Sequence, residues 1–86
     1  MYKGSTFFTL MAEFGTGDIP LEACCEKYFG MNLRKASAYA RNQQLPVPVY
    51  RGGSQKSTWL VSATDLANHI DSLKKKARKD WQRLQN

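Results

Sequence analysis

Gly30 and Asn32 stand two residues apart between two stretches of helical periodicity, and no other feature restricts the fold of this 86-residue chain as much. Glycine accepts the left-handed backbone that closes a helix. Asparagine is a preferred N-cap. A helix ending at Gly30 and another opening at Asn32 therefore meet across a very short turn. Before the turn, Leu21, Cys24, Cys25 and Tyr28 mark one face of a helix over 20–29. Pro20 favours its start, and Glu22 lies in its first turn, where the helix dipole favours an acid. After the turn, a helix over 33–44 has two unlike faces. Leu33, Ala36 and Ala40 cluster on one side; Arg34, Lys35, Ala38, Arg41 and Asn42 cluster on the other. The small inner face lets this helix sit close to its neighbour.

The flanking segments complete the plan. Phe7, Leu10, Met11 and Phe14 recur at helical spacing, so a short amphipathic helix is expected over 6–14, with Phe8 off the main stripe. Gly15-Thr16-Gly17-Asp18 reads as a loop, with Ile19 held extended by Pro20. Leu45-Pro46-Val47-Pro48 stops the basic helix. Val47–Arg51 and Thr58–Val61 read as strands joined by the polar tip Gly52-Gly53-Ser54-Gln55-Lys56-Ser57, a hairpin over 47–61. Its prolines make the first strand short or place it at an edge. Ser62-Ala63-Thr64-Asp65 has capping-box spacing. Leu66, Ile70, Leu73, Ala77, Trp81 and Leu84 then continue one stripe over a helix at 63–84, roughly 35 Å long.

Between Glu26 and Asp65 there is no acid, while Lys27, Arg34, Lys35, Arg41, Arg51 and Lys56 all fall there. An ordinary solvated surface mixes both signs, because like charges raise the energy of the compact state. The net charge of +6 agrees, and it suits a polyanion. A basic helix face alone is as often a plain solvated exterior. Its continuation through a glycine-tipped hairpin favours nucleic acid. No serine, histidine and acid group forms a triad, no glycine loop matches a nucleotide site, and no His or Cys set has ligand spacing. No enzyme activity, cofactor or metal is therefore expected. Cys24 and Cys25 are adjacent and read as reduced core thiols. His69 reads as exposed and idle. Trp59 and Tyr50 read as core or hairpin packing. The N-terminus lacks a signal peptide, and no apolar run spans a bilayer, so a cytoplasmic, nucleoid-associated protein without membrane contact is expected.

Several segments resemble the pyocin activator (PrtN-like) family of small bacterial and prophage-borne DNA-binding activators. They are Ile19-Pro20-Leu21-Glu22, Cys25-Glu26-Lys27-Tyr28-Phe29-Gly30 and Leu45-Pro46-Val47-Pro48, then Ser54-Gln55-Lys56-Ser57-Thr58-Trp59-Leu60-Val61 and Asp65-Leu66-Ala67-Asn68-His69-Ile70-Asp71. The resemblance runs from about Ser5 to Trp81, and Ser-Gln-Lys with Trp-Leu-Val is its most specific part. It implies transcriptional activation of bacteriocin or prophage genes. Composition and periodicity alone reach only DNA binding.

The expected fold is one domain, mostly α with a small β-hairpin: a winged helix-turn-helix of the excisionase/MerR-like kind, with a long C-terminal helix. The expected partner is double-stranded DNA, read by Arg34, Lys35, Ala38, Arg41 and Asn42 in the major groove and held by Arg51, Gln55 and Lys56 on the wing. RNA polymerase is a further candidate partner for an activator. Leu73, Ala77, Trp81 and Leu84 point to a homodimer or higher oligomer. An excisionase-like architectural factor and a basic module for protein or RNA are the alternative readings.

Overall fold

The computed structural model describes residues 4–53 and 57–85. In chain order the elements are α1 (Gly4–Phe14), β1 (Asp18–Pro20), α2 (Leu21–Phe29), α3 (Leu33–Arg41), β2 (Val49–Arg51), β3 (Trp59–Ser62) and α4 (Ala63–Gln85). The three strands form one antiparallel sheet in the order β1-β3-β2. This order, with a short turn between α2 and α3 and with β2–β3 as the wing, is the plan of a winged helix-turn-helix.

Ile19, expected to be extended before Pro20, lies within a paired strand, β1, which takes Asp18 from the expected loop. Its pairing comes from residues about forty positions away: Ile19 lies opposite Val61, and Val61 lies opposite Val49 across the other seam. Pro20 is tolerated because β1 is an edge strand. Ile19, Val61 and Val49 are all buried, so the sheet turns one apolar face onto the helices.

α2 ends as the glycine suggests. Gly30 has φ of 66°, its N–H bonds the Glu26 carbonyl, and the Met31 N–H reaches back to Cys25. That paired closure satisfies two carbonyls that the helix end would otherwise leave open. α3 opens at Asn32, whose side chain accepts the Lys35 N–H at 2.9 Å. It ends at Arg41, three residues before the expected Gln44. Gln43 takes the left-handed conformation at φ 52°, and the Gln43 and Gln44 N–H groups bond Ala40 and Tyr39. A left-handed closure thus forms without a glycine, with N–H groups reaching back three and five residues where those at Gly30 and Met31 reach back four and six. The Gln43 side-chain amide also donates to the Val49 carbonyl at 3.2 Å, which ties the helix end to β2.

Leu10, Ile19, Leu21, Cys24, Val61 and Leu66 are the fully buried centre, each within 1% of complete burial. Burying one such aliphatic side chain contributes about 1.5–3 kcal/mol. α1 packs along the first half of α4, and the Thr6 hydroxyl donates to Asp71. α1 meets α2 at its other end. Glu13 accepts hydrogen bonds from Lys27 at 3.0 Å and Tyr28 at 2.7 Å, and Phe14 meets the Tyr28 ring edge-on. These two hydrogen bonds hold the Glu13 carboxyl below its usual range, Tyr28 contributing first and Lys27 second. His69 is half-buried rather than exposed, with its ring 6.1 Å from that of Phe29. No helix among the described residues is long and apolar enough to cross a membrane.

Candidate nucleic-acid interface

α3 carries the site because of what lies beneath it. Ala36 and Ala40 have no exposed surface. Two methyl groups seat the helix closely on its neighbours and fix its rotation, since any turn about its axis would bury a charged side chain. The opposite face then points outward. Arg34, Lys35, Arg41 and Asn42 are exposed, and Ala38 is half-buried between them. The Lys35 ammonium lies 5.7 Å from the Tyr39 ring, close enough for a cation–π contact. The Asn42 amide donates weakly to the Ala38 carbonyl at 3.4 Å, one turn back. α3 contains no acid, so nothing on the helix itself neutralises its outer face.

Leu33 corrects the helical wheel. Helical period sets it with Ala36 and Ala40 on the inner side, yet it is 44% exposed. The buried axis of α3 runs between Ala36 and Ala40, and Leu33 sits a step around the helix at its first turn. It opens into a cleft of about 270 Å³ between α3 and the base of the wing. Leu33, Ser37 and Arg41 form one wall, Arg51 and Trp59 the other, and Glu22 approaches from α2.

The wing places its cation by packing. Arg51 and Trp59 are register partners across β2 and β3. The guanidinium lies 4.1 Å from the centre of the indole ring, which positions the charge against a flat apolar surface. Tyr50 is exposed rather than core, and its hydroxyl donates to the Asp18 carboxylate of β1, which pushes the phenol above its ordinary pKa. Arg41 and Arg51 therefore share one cleft, an association the sequence did not disclose. Arg34 and Lys35 lie on the outer helix face as expected. Gln55 and Lys56 lie outside the described residues.

Cys24 and Cys25 are buried free thiols. Burial, then the neighbouring Cys25, pushes the Cys24 thiol up to about 11, so it is a core group rather than a nucleophile. Among the described residues no group of three or more His, Cys, Asp or Glu side chains is arranged to hold a metal ion.

These features make a mostly helical protein with a small three-stranded antiparallel sheet and a long C-terminal helix, compatible with a winged helix-turn-helix, in which a basic face of α3 stands beside Arg51 of the β2–β3 hairpin. Residues 6–77 match the family described as pyocin activator protein PrtN, and the chain belongs to that family. Comparison with curated proteins and with solved structures gives no match.

Proposed function

We propose that this protein activates transcription by binding specific double-stranded DNA, with α3 in the major groove and the β2–β3 wing on the flanking backbone. The observation that carries the reading is the acid-free outer face of α3, fixed in rotation by the buried Ala36 and Ala40. Arg34 and Arg41 offer the forked donors that match guanine edges, and Ala38 offers a methyl for thymine. Lys35, Arg51, Gln55 and Lys56 supply phosphate contacts. The word activator in the family description supports a regulatory outcome on pyocin-type genes, with RNA polymerase as the partner that activation requires. The site of action is then the nucleoid.

The test is binding to duplexes from upstream regions of candidate target genes, across a salt series. Affinity falls steeply with salt, and scrambled duplex binds weaker by about a thousandfold or more. Arg41→Ala costs about 1–3 kcal/mol on the preferred site and blurs sequence preference. Lys56→Ala weakens all duplexes alike and lowers the salt slope by about one. Equal affinity for upstream and scrambled DNA would remove the specific-binding reading.

A further inference from the structure

We propose that two copies of this chain pair antiparallel through the distal half of α4, crossing at Ala77, with each Trp81 seated against Lys74 and Ala77 of its partner. α4 has 23 residues, and α1 covers only its first part; the Thr6–Asp71 hydrogen bond lies near the end of that coverage. Beyond it the apolar stripe continues in solvent. Leu73 is 51% exposed, Trp81 61% and Leu84 81%. α1 cannot cover these residues as well, because Leu10 and the rest of its apolar face are already engaged on the body.

The exposed face is complementary to itself. Lys74, Ala77, Arg78, Trp81 and Gln82 bound a shallow hollow of about 500 Å³ along one edge of the stripe. The small side chain of Ala77 forms its floor, and the large indole of Trp81 stands one turn further on. Clefts of roughly 300–1,000 Å³ hold drug-sized molecules, so one indole fits. A two-fold axis through Ala77, at right angles to the helix, brings position 81 of one chain level with position 73 of the other, about 1.5 Å along the axis from Lys74 on the same edge. It lays each indole in the partner's hollow with a lysine ammonium at its face, a cation–π contact made twice. The same axis sets Ile70 opposite the partner's Leu84. A parallel pair would instead set Trp81 level with Trp81 and leave both hollows unfilled.

Charge gives this pairing a signature. Residues 71–85 of α4 carry six Lys and Arg side chains against Asp71 and Asp80, a net charge of +4, so two arms brought side by side repel each other at low ionic strength, even though Asp80, paired with Arg83, lies on the stripe side. Self-association therefore tightens as salt rises, whereas phosphate binding weakens. The seam consists of one helix face per partner, and dimerisation is therefore expected in the micromolar range.

Sedimentation equilibrium of the full chain without DNA tests this independently of any DNA activity. The expected result is a monomer–dimer equilibrium at micromolar concentration that strengthens between low and high salt. Trp81→Ala and Ala77→Glu each weaken it at least tenfold, while circular dichroism remains that of the folded protein. Ala77→Cys forms a disulfide-linked dimer under oxidation. Leu84→Cys does not, because the two copies of that position lie about 21 Å apart in the antiparallel pair. A monomer at all salt concentrations up to tens of micromolar would overturn the proposal. So would a dimer indifferent to Trp81→Ala, or ready cross-linking through Leu84→Cys, which a parallel pair requires.

Discussion

Gly30→Ala is the substitution whose effect the structure determines most directly. A Cβ placed at Gly30 meets nothing within 4 Å. Steric conflict with neighbours therefore contributes nothing, and the whole cost is backbone. At φ of 66° an L-residue pays roughly 1–2 kcal/mol. Alanine also restricts the unfolded chain, which returns about 0.4–1 kcal/mol. The net expectation is a loss of about 1 kcal/mol. For a chain of this length that lowers Tm by about 4–8 °C. Gly30→Asn should lose less, since asparagine enters the left-handed region more readily. Thermal unfolding followed by circular dichroism, with urea unfolding as a second measure, gives the comparison. Gly17 is the control. Its φ lies outside the left-handed region, and an added Cβ would make only an ordinary contact with the Met11 sulfur at 3.8 Å. Gly17→Ala is therefore expected to be neutral or slightly stabilising. If Gly30→Ala were as stable as the parent, or if both alanine variants lost the same amount, the α2 closure would not depend on that left-handed residue.

Three further outcomes follow from the packing and the titrating groups. Leu66→Ala removes a side chain with no exposed surface at the root of α4 and should cost about 2–5 kcal/mol in urea unfolding. The Glu13 carboxyl is held below its unfolded value by Tyr28 and Lys27, so its contribution is present above that value and is lost as pH falls through the folded one. Stability measured from neutral pH into the acid range should therefore decline less steeply in Glu13→Gln than in the parent. The Cys24 thiol, pushed up to about 11 and buried, should resist an aromatic disulfide reagent at pH 8 and react once urea unfolds the chain. Fast labelling of the native protein at Cys24 would contradict its place in the core.

The sequence disclosed those elements whose signals are local. Gly30 and Asn32 bound the turn between α2 and α3 because one accepts positive φ and the other caps through its own side chain. The inner placement of Ala36 and Ala40 followed from helical period alone. Where a signal is carried by distant partners, the sequence was silent. β1 is three residues long, and only pairing with β3 identifies it. The end of α3 was equally hidden, because the left-handed residue is Gln43 rather than glycine, and its side chain is held by the Val49 carbonyl. Leu33 misled through its chemistry. An apolar residue near an inner face reads as core, yet the first turn of α3 opens into the cleft instead of onto α2. The meeting of Arg41 with Arg51 depends on how the wing folds back toward α3, a distance that no local spacing encodes.

That meeting also bears on how helix and wing act together. Only seven residues separate Arg41 from Val49, and within them Leu45 and Val47 are buried. The connection is thus fastened to the core at two points instead of hanging free. The Gln43 amide adds a third tie, to the carbonyl of Val49 itself. Arg51 lies two residues further on and is stacked on Trp59, whose neighbours in β3 pair with both other strands. Movement of α3 relative to the base of the wing would therefore disturb buried apolar contacts as well as a hydrogen bond. Interiors packed at crystal-like density resist such continuous deformation. The placement of α3 against the base of the wing, and with it of Arg41 and Arg51, is consequently set by the buried Leu45 and Val47 and by the Gln43 tie. A charge-preserving change at the surface would alter one contact, whereas a change beneath it would shift the separation of both. The geometry of the basic cleft is a property of the apolar connection, and the cations report it.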